Sequence, residues 1–356
     1  MKANLQVPLK RPQPDYRRML KAIMTDYQPP RPPVVEYLVD PKLMKPILEQ
    51  VGRTWVEPLS DRASQEAFYD NFIAFWQHMG YDYVRIERSL NLPRPGRPGG
   101  VTGRIFAESH KGAISSWQEF ERYPWPKVAD ADFHCYEYIA AHLPEGMGLI
   151  SCHSGGMYEH LSFIMGYETL GLALFDDPAL VKAVSDRLGG LMTQYYRRLL
   201  EIEQIVAIWP GDDMGFRSGT LIGPDDLRKY ILPWHKQLAQ MAHAAGRPYF
   251  LHSCGNLAQI MPDLIDDVGI DAKHSFEDAI MPIAQFKQRF GRRIGVLGGV
   301  DVDVLTRRSP QEVRAYVRKI IDDCAPGGRF AIGSGNSIPD YIPLENYLTM
   351  IDEALR

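Results

Sequence analysis

A histidine and a cysteine two residues apart, His252 and Cys254, have the clearest chemical potential in the chain. The apolar run at residues 249–251 precedes them and indicates a buried strand that breaks at Gly255. Because alternate residues of a strand share a face, the imidazole and the thiol can face one space. Zinc favours this pair of ligands, so the spacing predicts either a metal site or a structural cysteine beside a hydrogen-bonded histidine.

The elements that must position this pair alternate along the chain as short apolar strands and helices. Strands are predicted at residues 33–37, 81–87, 148–153, 205–209, 249–254, 270–275, 294–301 and 329–334. Eight such strands with intervening helices favour a single α/β domain, a (β/α)8 TIM barrel over residues 33–356. An open doubly wound sheet is the alternative, but no GxGxxG follows the first strand.

Two segments depart from this alternation. Residues 1–32 are rich in proline around one predicted helix, and we expect them to form an N-terminal arm that wraps the barrel. Residues 89–103 are rich in proline, glycine and arginine, and are predicted to form an excursion over one rim.

The composition of the 356-residue chain excludes several classes of protein. Its 45% of hydrophobic residues suffices for a large core, and its formal net charge of -4 gives no basic footprint for nucleic acid. No apolar run approaches the roughly 18 residues of a membrane span, and no signal peptide is evident. Four cysteines without CxxC spacing fit a reducing compartment, so we expect a cytoplasmic protein.

The carboxyl ends of the strands carry the chemistry of a TIM barrel, so the polar residues there form one candidate site. They are Glu36, Glu87, Cys152, His153, Asp212, Asp213, His252, Cys254, His274, Asp301, Ser334 and Asn336. About half are expected only to solvate or cap strand ends, and the adjacent pair of aspartates also fits a simple turn. The others could bind a metal or perform acid and base chemistry.

Residue type assigns expected roles within this site. Glu87, Asp213 and His252 are the candidate catalytic residues, because carboxylates and imidazoles move protons. The candidate substrate-binding residues are Glu36, Trp209, Asp212, Phe216, His274, Asp301, Ser334 and Asn336. The aromatic residues Trp209 and Phe216 could stack on a ring, as could Phe276 and Tyr341.

Three motifs carry a family resemblance: residues 252–256 (HSCGN), residues 297–301 (LGGVD), and residues 333–339 with 343–346. From about residue 16 onward, the chain resembles the uroporphyrinogen decarboxylase superfamily, within it the cobalamin-dependent methyltransferase-like branch. True decarboxylases carry an arginine-rich stretch after the first strand, whereas residues 34–40 contain no arginine. The second strand of the decarboxylases ends in an aspartate, whereas the second strand here ends in Glu87. In addition, a rim with this many acidic residues would bind the carboxylates of a tetrapyrrole poorly.

The resemblance to the methyltransferases implies zinc. His252 and Cys254 match the first two family ligands, but Ser334 stands where a later cysteine provides the third. Either zinc has been lost, or another rim residue is the third ligand, with Asp213, His274, Glu36 and Cys152 as candidates.

The function implied by the resemblance is methyl transfer between a small methylated compound and a cobalamin. A methoxylated aromatic, undergoing O-demethylation, is one candidate substrate, with Glu87 or Asp213 stabilising the departing atom. The DxHxxG signature of a corrinoid module is absent, since Glu137 replaces its glycine, so a separate corrinoid protein is the expected partner. A homodimer is one candidate assembly.

Two other functions remain open. One is a decarboxylase-like lyase that would act on a carboxylated substrate through the rim acids and Arg217. The other is a non-catalytic barrel whose polar rim only binds a small molecule.

Overall fold

The computed structural model describes residues 5–93 and 112–356, and over these ranges the chain folds as the predicted TIM barrel. Its regular strands are β1 Tyr83–Arg88, β2 Gly148–His153, β3 Ile205–Ile208, β4 Phe250–His252, β5 Ala272–His274, β6 Gly295–Leu297 and β7 Phe330–Ala331. All pair in parallel, in the orders β1-β2-β3 and β4-β5-β6-β7. Bridges from Ile208 to Tyr249 and from Gly211 to His252 join β3 to β4.

The expected first strand at residues 33–37 is reduced to isolated bridges, so the prediction of a regular strand there is wrong. Val34 pairs with Ile332, and Val39 with Ile338. Prolines at positions 29, 30, 32 and 33 supply no backbone N–H, which shortens the stretch that can join a ladder. On its other edge, the Tyr83 hydroxyl accepts from the Glu36 N–H at 2.6 Å and donates to the Glu36 carbonyl at 2.7 Å. A side chain therefore completes the barrel between this segment and β1.

The helices surround the strands, and several begin at residues whose side chains accept hydrogen bonds from their free N–H groups. They are α1 Tyr16–Met24, α2 Pro41–Gln50, α3 Arg62–His78, α4 Trp117–Arg122, α5 His134–His142, α6 Met157–Met165, α7 Tyr167–Asp176, α8 Pro178–Leu199, α9 Pro224–Tyr230, α10 Leu232–Ala244, α11 Met261–Asp263, α12 Ile283–Phe290, α13 Val302–Arg307, α14 Pro310–Cys324 and α15 Leu344–Ala354. Aspartate side chains cap α1, α2, α3, α8 and α13, and a Ser309–Glu312 capping box begins α14.

The N-terminal arm packs through α1 against β6 and β7. Met19 and Ile23 are buried on its inner face, and the Arg329 N–H donates to the Thr25 carbonyl at 3.0 Å. The boundary at residue 32 stays a prediction. Most of the expected rim excursion, residues 94–103, lies outside the described residues.

The barrel interior holds unusually large side chains just below its carboxyl end. Trp209 is fully buried, and its ring centroid lies 5.5 Å from Tyr37, 5.4 Å from His274 and 6.0 Å from Phe250. This placement does not meet the expectation that Trp209 stacks on a substrate at the rim. The ring instead forms a floor on which the candidate site rests.

Candidate active site

Asp213, His252 and Cys254 meet at the carboxyl end of β4. His252 Nε2 lies 3.5 Å from Cys254 Sγ and 3.6 Å from Asp213 Oδ1, and all three possible ligand atoms fall within 4.8 Å of one another. Ligand atoms that share one tetrahedral zinc ion are about 3.3–3.8 Å apart, given zinc–ligand distances of about 2.0–2.3 Å. The nitrogen, sulfur and carboxylate donors therefore fit a zinc site, and Asp213, whose side chain is 42% exposed, leaves it open to solvent.

Two glycines bring the Asp213 loop and the Cys254 loop into contact. Gly255 has φ +82°, and a Cβ added there would lie 2.2 Å from the Gly215 carbonyl carbon. Because no side chain separates the two backbones, the Cys254 N–H reaches Asp213 Oδ1 at 2.8 Å. This hydrogen bond holds the carboxylate beside the thiol.

His252 is held between Tyr37 and His274. The Tyr37 ring stacks on the His252 ring with centroids 4.1 Å apart, and His252 Nδ1 lies 2.7 Å from His274 Nδ1. His274 in turn donates from Nε2 to the Ser334 carbonyl at 3.0 Å. Burial lowers the pKa of His274 to about 3, and the nearby Lys273 and Arg85 cations add to this shift. The hydrogen bond to the Ser334 carbonyl opposes it but is outweighed. His274 therefore lies behind the cluster, as a neutral ring.

Cys254 has polar neighbours on two sides. Asn336 Nδ2 donates to its Sγ at 3.2 Å, and Ser275 Oγ lies 3.7 Å away. Burial and the adjacent Asp213 carboxylate raise the pKa of this thiol well above its usual value. A thiolate at this position therefore needs a compensating cation, as a bound metal would provide.

Of the four residues considered as a third ligand, only Asp213 lies in the cluster. Ser334 Oγ donates to Glu36 Oε1 at 2.7 Å, and both side chains are fully buried. Burial raises the pKa of Glu36 to about 8, although hydrogen bonds from Ser334 and Tyr37 oppose the shift. The Cys152 thiol is also buried and donates to Glu87 at 3.5 Å.

Glu87 lies on the opposite wall of the mouth and is paired with a residue that sequence reasoning missed. Arg85 Nη2 donates to Glu87 Oε2 at 2.7 Å, while Ser154 Oγ donates to Glu87 Oε1 at 2.8 Å. Burial alone would raise the pKa of Glu87, but the Arg85 cation and these hydrogen bonds outweigh it and hold the pKa below its usual value. Glu87 is therefore an acceptor or a base rather than a proton donor. In the sequence, Arg85 lies between two apolar residues, Val84 and Ile86, and was not considered as a site residue.

Arg85 itself is fully buried beneath the mouth. Its guanidinium lies 3.5 Å from the centroid of the Tyr37 ring, and its Nη2 also donates to the Trp209 carbonyl at 3.0 Å. Its Nε and Nη1 have no hydrogen-bond partner among the described residues.

Glu159, near the start of α6, is a second residue that the sequence did not reveal. Its carboxylate accepts from the Gly156 N–H at 2.9 Å, as in a capping box. Burial, with the negative charges of Asp213 and Asp212, raises the pKa of Glu159 well above its usual value. The mouth thus combines Glu159, whose pKa is raised, with Glu87, whose pKa is lowered. Only the capping-box spacing after residues 155–156 could have drawn attention to Glu159.

Asp212 has a structural position rather than an open one. Its oxygens accept from the Tyr158 and Glu159 N–H groups, each at 3.0 Å, and from His235 Nε2 at 2.7 Å. The residue is fully buried, so the expectation that it binds substrate is not met by this geometry. His235, which showed no role in the sequence, orients Asp212 and hydrogen-bonds the Tyr249 hydroxyl at 2.8 Å.

The remaining candidates lie at the edge of the mouth. Phe216 is 63% exposed at the end of a short hairpin closed by a bridge from Gly215 to Thr220. Asp301 accepts from the Asp303 and Asp278 N–H groups at 2.7 and 2.8 Å, so it caps α13 and binds the loop between β5 and α12.

A small, partly open cleft lies between the loops that follow β4 and β5. Met261, Phe276 and Met281 are among its apolar lining residues, and its polar lining residues are Asn256, Lys273, Ser275 and Glu277. Ser275 also faces the Cys254 thiol, so the cleft adjoins the three-residue cluster.

Comparison with known proteins places the chain among decarboxylase-like barrels. The family model described as uroporphyrinogen decarboxylase (URO-D) matches residues 110–356. A methylated-thiol–coenzyme M methyltransferase of Methanosarcina mazei is 29% identical over 130 residues, which are 36% of this chain and 32% of that protein. A uroporphyrinogen decarboxylase of Thioalkalivibrio sulfidiphilus is 26% identical over 185 residues, 51% of this chain and 50% of that one. The chain thus aligns with half or less of each of these relatives.

Solved structures extend the likeness over nearly the whole fold. A methyltransferase from Methanosarcina mazei superposes with a TM-score of 0.67 at 18% identity, covering 95% of this chain and 97% of that one. A putative vitamin-B12-independent methionine synthase from Listeria monocytogenes gives 0.51 at 10% identity, covering 92% and 96%. Identities this low support the barrel fold alone. None of the helices within residues 5–93 and 112–356 has the length and apolar character of a membrane span.

Proposed function

Because the chain belongs to the uroporphyrinogen decarboxylase family, we propose that it is a methyltransferase of that family's corrinoid-linked branch. It would move a methyl group between a small methylated compound and a cobalamin carried by a separate corrinoid protein. The observation that carries the proposal is the cluster of Asp213, His252 and Cys254 at the barrel mouth. The name of one sequence relative, a methylated-thiol–coenzyme M methyltransferase, also supports it.

His252, Cys254 and Asp213 would hold a zinc ion, with the aspartate in place of the cysteine expected at position 334. Bound zinc would supply a Lewis acid that stabilises negative charge on sulfur or on a departing heteroatom. Asn336 donates a hydrogen bond to Cys254 Sγ and so stabilises the anionic form of the same atom. The hydrogen bond from the Cys254 N–H holds the Asp213 carboxylate beside the Cys254 and His252 side chains.

The two carboxyl groups beyond the cluster would have opposite proton states. Glu159 would keep its proton and could donate it to a departing oxygen, nitrogen or sulfur. Glu87, held ionised by Arg85 and Ser154, would accept a hydrogen bond and orient the substrate. Of the three residues proposed as catalytic from the sequence, Asp213 and His252 would thus bind metal and Glu87 would position substrate.

The substrate itself would be small and largely apolar. The cleft beside Cys254 has aromatic and methionine lining residues, and its polar lining residue Ser275 faces the metal cluster. A methyl thioether or a methoxylated aromatic fits this distribution, since each has an apolar body and one methylated heteroatom. The corrinoid partner would approach the same mouth, near the exposed Phe216 hairpin.

One observation favours a second function, a lyase for a carboxylated substrate. The Nε and Nη1 groups of Arg85, without a hydrogen-bond partner among the described residues, could receive a carboxylate. Against this, Arg85 is fully buried beneath Tyr37, and the Glu87 and Asp213 carboxylates would repel a carboxylated substrate at the mouth.

The proposal is tested by mixing the zinc-loaded protein with cob(I)alamin and a panel of methyl thioethers and methoxylated aromatics. We expect at least one donor to convert the cob(I)alamin absorption spectrum to that of methylcobalamin. The Cys254→Ala variant should lose this conversion, and Cys324→Ala, which removes a buried thiol on α14, should keep it. Conversion that survives in Cys254→Ala would contradict the proposed site. Carbon dioxide release from a carboxylated panel, without methyl transfer, would favour the lyase, and ligand binding without any reaction would favour a binding protein.

A further inference from the structure

A row of three groups leads from the end of β7 to the metal cluster: the Ser334 carbonyl, the His274 ring and the His252 ring. We infer that His274 is a positioning residue that fixes the tautomer of His252, so that His252 offers the lone pair of Nε2 to a metal. The inference rests on the proposed metal site and adds the residue that prepares its only nitrogen ligand.

The number of protons along the row determines the tautomer. A carbonyl oxygen only accepts hydrogen bonds, so the 3.0 Å contact with Ser334 places the His274 proton on Nε2. The Nδ1 of a neutral His274 ring is then an acceptor. The 2.7 Å contact between the two Nδ1 atoms needs one proton, which must therefore come from His252. A neutral His252, the form that can bind a metal, then has its lone pair on Nε2, and this is the atom that faces Cys254 Sγ and Asp213 Oδ1.

Close packing keeps the rings of the row in this orientation. His274 is 1% exposed and His252 is 5% exposed, and Tyr37 stacks directly on His252. Gly298, with φ +87°, allows the approach from the other side, because a Cβ there would lie 2.8 Å from His274 Cδ2 and 2.2 Å from the Ser334 oxygen. His274 cannot rotate without displacing this backbone. A histidine ligand usually donates its second N–H to a carboxylate, a carbonyl or a water, and here a second imidazole takes that place.

The row also gives position 334 a role that does not depend on its side chain. The Ser334 hydroxyl is directed at Glu36, whereas its backbone carbonyl holds His274. A Ser334→Ala variant therefore removes the hydroxyl and leaves the row intact, which makes it a matched control for substitutions of His274.

The test is the tautomer of His252 in metal-free protein, read from long-range ¹H–¹⁵N correlation spectra of histidine-labelled samples. We expect wild type and Ser334→Ala to carry the His252 proton on Nδ1. In His274→Phe, which removes the acceptor, we expect the Nε2–H tautomer to become populated. His274→Asn places an amide oxygen near the lost Nδ1 and should largely preserve the original tautomer, which guards against a Phe variant that fails to fold.

Zinc affinity, measured by competition with a chromophoric chelator, provides a second result. His274→Phe should bind zinc about 10–100-fold more weakly than wild type, and His274→Asn should lose less. A wild-type His252 that carries its proton on Nε2, or a His274→Phe spectrum with an unchanged tautomer, would overturn the inference. Because the spectra are recorded without metal or substrate, a failure of the methyltransferase proposal leaves this test unaffected.

Discussion

The contact between Gly215 and Gly255 predicts that one methyl group will damage the metal site. Gly255→Ala introduces two costs: an alanine at φ +82° adopts a left-handed conformation, which costs about 1–2 kcal/mol, and its Cβ would lie 2.2 Å from the Gly215 carbonyl carbon. Relieving such a clash typically costs a further 1–3 kcal/mol, or about 2–5 kcal/mol together. The loops must separate, so Asp213 loses its hydrogen bond with the Cys254 N–H.

Gly246→Ala is the matched control, because Gly246 has φ +72° and nothing lies within 4 Å of its added Cβ. We expect this control to lose only the conformational part, about 1–2 kcal/mol of unfolding free energy, and to bind zinc as wild type does. Gly255→Ala should lose the larger amount and also bind zinc at least about tenfold more weakly. Denaturant unfolding and chelator competition measure the two effects. Equal losses in both variants, with unchanged zinc affinity, would refute the role given to the glycine contact.

Two further predictions concern buried charge. Burial raises the pKa of Asp82 from 3.8 to about 6. The folded protein therefore binds this proton more tightly than the unfolded chain, which stabilises the fold by up to about 3 kcal/mol below about pH 4. This contribution is lost as the pH rises through 6. The stability of Asp82→Asn relative to wild type should therefore rise between pH 4 and pH 7, and a difference that does not change with pH would contradict this. Arg85→Met should lower the unfolding free energy by about 3–5 kcal/mol, because it strands the buried Glu87 carboxylate. Arg85→Met combined with Glu87→Gln should recover part of the loss in denaturant unfolding, and no recovery would show that the charge pair is not the cause.

The barrel was predictable because local sequence patterns identify most of its strands. Most regular strands lie in short apolar runs between helices, and seven of the eight predicted runs hold ladder pairs. The exception, at residues 33–37, depends on Tyr83 nearly fifty positions later, which replaces a backbone partner with a phenol. No local pattern contains that information.

The site was predictable only in part, for a related reason. His252 and Cys254 share a strand end, so their spacing alone indicates that they can meet. Asp213 joins them through a contact between glycines in different loops, which residue type does not reveal. His235 and His274 act through partners 23 and 60 positions away, and the sequence therefore showed His274 only as a possible ligand and did not single out His235.

Residues buried against their usual preference were the hardest to assign. Arg85 lies in a strand that also contains Glu87 and Arg88, so in sequence it resembles an ordinary solvated strand residue, although its side chain is fully buried against Glu87. Glu159 resembles a helix cap and is one, yet burial and the charges of Asp213 and Asp212 also raise its pKa. The burial of the Arg85–Glu87 pair and the pKa shift of Glu159 both depend on groups that come together only in the folded chain.

The central claim is that Asp213, His252 and Cys254 hold one metal ion, and elemental analysis of tag-free protein tests it most directly. We expect about one zinc per chain in wild type and in Cys324→Ala. The paired His252→Ala Cys254→Ala variant should contain none, and Asp213→Ala should lose most of it on dialysis against a chelator. A wild-type protein that takes up no metal even when zinc is supplied, or one whose zinc survives the paired substitution, would contradict the account.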